Sequence, residues 1–136
     1  MMEDDKVEDR YSKLDDEQEI YTLNLNDPKF GISVTTLLTE AGLARFVNDT
    51  LKPNQSNFSG EYIKKDGELR VMNGTFKKET IEASGWVPSE KEAELEKRPI
   101  TVIKYFDLYA NGWRAFSPSR LKKLVSESYT ISRKFP

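Results

Sequence analysis

Residues 100–124 constrain the fold more tightly than any other stretch of the chain. Ile100-Thr-Val-Ile-Lys-Tyr-Phe-Asp-Leu108 is β-branched and aromatic, Tyr109-Ala-Asn-Gly112 is a turn, Trp113-Arg-Ala-Phe116 returns, and Ser117-Pro-Ser-Arg-Leu121 closes the unit. Two such runs about an Asn-Gly pair are a strong β-hairpin signature, because Asn and Gly tolerate the positive φ that a tight turn demands. Gly60-Glu-Tyr-Ile-Lys-Lys-Asp-Gly67 and Glu68-Leu-Arg-Val-Met-Asn-Gly-Thr-Phe76 repeat the arrangement about Asp66-Gly67. In the second of these runs Leu69, Val71 and Asn73 alternate with Arg70, Met72 and Gly74, so the two sets face opposite ways. Gly74 within the strand predicts a bulge or a close backbone approach, as where a sheet curls.

The flanking segments are less regular. Ile20-Tyr-Thr-Leu-Asn-Leu25 alternates as a short strand and Asn26-Asp-Pro28 ends it. Val34, Leu37, Leu38, Ala41, Leu43, Phe46, Val47 and Leu51 fit one helical stripe, with Ser33 as N-cap and Pro53 as stop. A helix over about 34–51 is therefore expected, or two short ones interrupted at Gly42. Trp86 is large enough to plug one end of a small barrel. Ser89-Glu-Lys-Glu92 has capping-box spacing, so Glu90 to Lys97 reads as two helical turns or as a solvated charged loop. Val125, Tyr129 and Ile131 support a closing strand within Val125 to Arg133. Short strands in an open sheet leave edges unprotected. The expected fold class is thus α+β and mainly β: a small, strongly bent barrel of about five short strands with an N-terminal helix.

Composition narrows the chemistry. The 136 residues suffice for one domain, and the absence of Cys and His removes disulfides, imidazole and thiolate metal sites, the Ser-His-Asp triad and Cys nucleophiles. There is no Gly-rich phosphate loop, and Glu90, Glu92, Glu94 and Glu96 lack the apolar setting that general acid catalysis requires. No enzyme activity, cofactor or metal is expected. No apolar run approaches the roughly 20 residues of a membrane span, and the acidic start is unlike a signal peptide, so a cytoplasmic location is expected. Charge is unevenly placed: Met1 to Glu19 sums to −6, and Gly112 onward sums to +5. Residues 1–19 are accordingly expected to be an acidic disordered tail and 20–136 the domain.

Lys64-Lys-Asp-Gly-Glu-Leu-Arg-Val-Met-Asn-Gly-Thr75, Tyr105-Phe-Asp-Leu108 and Trp113-Arg-Ala-Phe116 together resemble the Sm-like, SH3-like β-barrel family grouped with the WYL domains, common in bacteriophages and bacteria. The likeness runs from about Phe58 to Val125. It implies a barrel without an intrinsic enzyme site. In the broader WYL group such a barrel binds nucleic acid or nucleotide ligands with an aromatic strand and an arginine beside it. Carried onto this chain, the resemblance implicates Tyr105, Arg114, Phe116 and Arg120, with Lys122 and Lys123 adding basic charge. A guanidinium offers a planar fork to phosphate, and exposed aromatics offer bases a stacking face. The leading expectation is a non-catalytic phage-type module that binds nucleic acid, single-stranded DNA or RNA, in transcription, replication or host takeover, within the host cytoplasm if viral. The competing expectation is a module that engages a host or viral protein, its acidic tail imitating DNA. A further alternative for the side chains themselves pairs Arg114 with Asp107 or stacks it on an aromatic, and leaves the lysines as solubilising charge.

Overall fold

A computed structural model describes Tyr11, Leu14, Asp15 and residues 17–27, 29–86 and 101–134. Both glycine-turned hairpins form as expected. β3 (Asn57–Ile63) pairs antiparallel with β4 (Leu69–Thr75), and β5 (Ile103–Asp107) pairs with β6 (Gly112–Phe116). Gly67 sits at φ +90° and Asn111 at φ +51°, the left-handed conformations that their turns require. Before them come β1 (Tyr21–Asp27), β2 (Ile32–Leu38), helix α1 (Glu40–Phe46) and one π-helical stretch, Val47–Leu51. Helix α2 (Lys78–Ala83) follows β4, and the 3-10 turn Pro118–Arg120, β7 (Leu121–Ser126) and β8 (Tyr129–Arg133) complete the order.

The eight strands form one open antiparallel sheet in the order β2-β1-β8-β7-β3-β4-β5-β6. The expected closed barrel of about five strands is corrected on both counts. β1 and the two hairpins β3–β4 and β5–β6 lie where strands are expected, but β2 and a further C-terminal strand enlarge the sheet, and no pairing joins the end strands β2 and β6. The one closing strand expected within Val125 to Arg133 is instead the end of β7 and the whole of β8, which form a hairpin with Leu124 opposite Ile131.

The expected helix over about 34–51 is shorter. Ile32-Ser-Val-Thr-Thr is β-branched and pairs in continuous register with β1, from Tyr21 opposite Leu38 to Asp27 opposite Ile32. Thr39, not Ser33, is the N-cap: its hydroxyl accepts from the Gly42 amide at 2.9 Å. Glycine there admits the cap closely, since a Cβ on Gly42 would lie 3.2 Å from the Thr39 hydroxyl. The tail expectation changes at its end, because Tyr11 is buried, with Arg45 over its ring at 4.9 Å and Asn48 donating to its hydroxyl. The expectations for residues 1–10 and for the capping box and turns at 89–97 lie outside the described residues.

The core joins the two halves of the sheet. Phe58, Tyr62, Met72, Tyr105 and Phe116 pack with Tyr21, Leu43, Leu51, Leu121, Leu124 and Ile131, all buried. Burying each of the larger apolar side chains is worth about 1.5–3 kcal/mol. Gly74 admits the Phe58 ring directly over the backbone, where any Cβ would collide with it, so the close approach expected at this glycine is present. Trp86 packs edge-on against Trp113 at 5.2 Å.

One buried phenol fastens the added strands to the rest. The Tyr21 hydroxyl donates to the Pro118 carbonyl and lies 3.1 Å from that of Leu121, while Arg133 donates to the Ser119 carbonyl at 2.7 Å. Burial, partly offset by Arg133, raises the Tyr21 hydroxyl from 10.0 to about 12. The fold therefore favours the neutral phenol. Its contribution is complete below pH 10 and is lost as pH rises through about 12. Tyr21→Phe should cost about 1–2 kcal/mol at pH 7. Chemical denaturation at a series of pH values should show a constant gap between parent and variant up to pH 10 that narrows toward 12. A gap that widens over that window would contradict this role.

Candidate nucleic-acid interface

The residues nominated by the sequence fall into two groups. The first surrounds Asp107, a carboxylate with no exposed surface. Its Oδ1 accepts the amides of Tyr109 at 2.7 Å and Ala110 at 3.1 Å, closing the β5–β6 turn. Its Oδ2 accepts from the Tyr105 hydroxyl at 3.2 Å and stands 3.7 Å from Nε of Arg114. A hydroxyl has one proton, so with Tyr105 donating to Asp107, Tyr62 donates to Tyr105 across 2.9 Å. Burial first, then the Tyr62 hydrogen bond, raises the Tyr105 hydroxyl far above its ordinary value. Phe116 stacks on Tyr62 at 4.9 Å and 26°.

Tyr105 is 0% and Phe116 4% exposed, so neither presents a face to a nucleobase. Both are corrected from stacking surface to core: β3 lies over them, which chain order does not reveal. Arg114, with its side chain 30% exposed, is committed to Asp107, the alternative weighed from the sequence.

The second group converges at one end of the sheet. There Ile63 faces Leu69, Tyr62 faces Leu121, and Ser132 lies opposite Lys123, so the β3–β4 turn, the 3-10 turn, the start of β7 and the end of β8 come together. Pro118 opens the 3-10 turn, and Arg120 at its end reaches across to donate from Nη1 to the Lys64 carbonyl at 2.8 Å. The register of β3 on β7 shifts between Glu61 and Tyr62, opposite Lys123 and Leu121 respectively, which leaves Lys122 as the extra residue of a bulge. Leu121 and Leu124 can thus both enter the core while Lys122 and Lys123 both face solvent. Arg120 is thereby joined to the backbone of Lys64 and Arg133 to that of Ser119, and exposed Lys122 and Lys123 follow at the start of β7, with Lys123 opposite Glu61.

Lys64, Lys65 and Arg133 were not nominated as site residues from sequence; the signal available was Lys64-Lys65 beside a turn and the basic count of the C-terminal segment. Acidic groups temper this end. Lys64 lies 3.3 Å from Asp66 and 3.4 Å from Glu68. The Glu68 amide, then Lys64, holds the Asp66 carboxyl below its usual range.

At the opposite end of β3 is an open groove of about 700 Å³. Asn54, Gln55, Asn57, Ser59, Asn73 and Ser126 line it, with Lys77 and Glu127 as its charged residues. Among the described residues no group of three carboxylate, Cys or His side chains is placed to hold a metal ion, and no helix is long and apolar enough to cross a membrane.

The family described as WYL_2, Sm-like SH3 beta-barrel fold, matches residues 49–122, more than half of the chain. The chain belongs to this family. No curated protein and no solved structure matches it. The WYL_2 match contains β3 to β6, the 3-10 turn and the first two residues of β7. It includes the whole Asp107 network, Arg120 and Lys122. β1, β2, α1 and β8 lie outside it, as do Lys123 and Arg133.

The two groups predict different mutational phenotypes. Asp107→Ala orphans two turn amides and the Tyr105 hydroxyl, and should cost about 3 kcal/mol or more. Arg114→Ala removes one partly exposed partner and should cost about 1 kcal/mol or less. Urea denaturation of both variants checks the ranking. Equal costs would mean that the ion pair, rather than the turn and the phenol chain, dominates at Asp107.

Proposed function

We propose that this protein is a non-catalytic, cytoplasmic module that binds nucleic acid through the phosphate backbone at the basic end of its sheet. One observation carries the reading. Arg120 donates to the Lys64 carbonyl, which sets Lys64 and Lys65 beside the turn that leads directly into exposed Lys122 and Lys123. Exposed lysines displaced outward by a bulge are well placed to neutralise successive phosphates, and that neutralisation releases counterions. With Tyr105 and Phe116 in the core, no base stacking by those two aromatics enters the reading, which makes binding sequence-independent. The lack of Cys and His supports the non-catalytic part.

A second reading, engagement of a host or viral protein, draws on the outer face of β4. Leu69 and Val71 are 50% and 57% exposed there, adjacent on one side of the strand. Exposed apolar neighbours of this kind mark protein contacts more often than phosphate contacts.

Fluorescence anisotropy with labelled oligonucleotides, single-stranded and duplex, tests the first reading. At about 50 mM salt, Lys122→Ala with Lys123→Ala should weaken single-strand binding by roughly tenfold or more, and should lower the slope of log K against log salt by roughly 0.7 per lysine. Arg114→Ala should leave the slope unchanged. Binding by the double variant that matches the parent in affinity and slope would exclude this site. Leu69→Ser with Val71→Ser altering capture of a protein partner, while oligonucleotides fail to bind at all, would favour the second.

A further inference from the structure

We infer that β2 pairs antiparallel with β2 of a second copy of this chain, joining two sheets across a twofold axis. This is independent of the basic end, and it concerns a strand outside the family match. β2 terminates the sheet, and among the described residues nothing pairs with its outer side. Every residue from Ile32 to Leu37 is exposed, and Ile32 and Val34 retain 49% and 46% of their accessible surface.

Edge strands of monomeric proteins are guarded by lysine, proline, a bulge or a covering segment, since an unpaired row of amides and carbonyls is a template for another strand. Ile32-Ser-Val-Thr-Thr-Leu-Leu38 has no charge and no proline, and its register with β1 is unbroken. Thr35 also donates to Asn24 at 2.7 Å across the ribbon, which holds the middle of the strand to β1. The edge is therefore regular along its full length and, among the described residues, has none of the usual guards.

The strand is complementary to itself. In an antiparallel pair centred on Thr35, Ile32 meets Leu38 and Val34 meets Thr36 on one face, while Ser33 meets Leu37 on the other. Apolar side chains thus extend across the seam on both faces. No charged residue lies within the strand to oppose its own copy. An uncharged strand gives a charged partner little to select, whereas an inverted copy of itself sets apolar side chains across the seam on both faces. The contact is isologous and closes at two. Seven-residue strands make a small interface, so the dimer should be weak, forming at about 100 µM and dissociating on dilution.

Sedimentation velocity on the full chain, from about 1 to 200 µM, should show the weight-average mass rising toward twice the monomer, as expected for a small reversible interface. Val34→Lys with Thr36→Lys places like charges opposite one another in this register and should stay monomeric throughout. Val34→Lys with Thr36→Glu makes the same number of exposed changes but sets opposite charges across the seam, and should dimerise at least as well as the parent. A parent that is monomeric at the top concentration, a lysine pair that dimerises like the parent, or a lysine–glutamate pair that does not dimerise would each overturn the inference. In the unsubstituted chain, hydrogen exchange of β2 amides should slow as concentration rises; exchange independent of concentration would overturn it as well.

Discussion

A buried carboxylate with four partners is the constraint around which this sheet is arranged. Asp107 sits where a hairpin must turn, and a charge removed from water is tolerated only when nearly every lone pair is used. Two amides of the turn, one phenol and one guanidinium use them. The phenol in turn engages Tyr62 on β3, so a local turn is wired to a strand that is not adjacent to β5 in the sheet. The curl that brings β3 over β5 and β6 then follows, with Phe58, Tyr62 and Phe116 filling the space between.

The N-terminal strands and β8 enlarge that family unit rather than form a second core. Tyr21 and Arg133 hold the 3-10 turn from the side of β1 and β8, and Arg120 holds it from the side of the β3–β4 turn. One short turn is thereby fixed by two independent sets of hydrogen bonds to its own backbone or from its own guanidinium. The basic end inherits that rigidity: Lys122 follows the clamped turn immediately, on a bulge that keeps it out of the core.

The two hairpins were legible because their turns need residue types that little else needs, as Gly67 and Asn111 show by their positive φ. The helix was misjudged because Val34, Leu37 and Leu38 satisfy a 3.6-residue spacing by coincidence within an alternating, β-branched run. Tertiary pairing with β1 outweighed the periodicity, and Val34 and Leu37 face solvent rather than core. The strand pair at the end was merged because Ser126-Glu-Ser128 contains neither glycine nor proline to announce a turn. Tyr105 and Phe116 read as a stacking surface because an aromatic beside an arginine looks alike in sequence whether it faces solvent or core. Only the placement of Tyr62 over both decides it. Lys64 and Arg133 are far apart in the chain, and only the fold ties each of them to the 3-10 turn.

Amide hydrogen exchange at Tyr109 and Ala110 tests most directly whether Asp107 is the anchor. Tyr109 is otherwise among the more exposed residues, and an unanchored surface turn exchanges at close to the rate of an open chain. Protection of both amides comparable with that of the β3 and β4 core, lost in Asp107→Ala, is the predicted result. Rapid exchange at both positions in the parent protein would contradict the account.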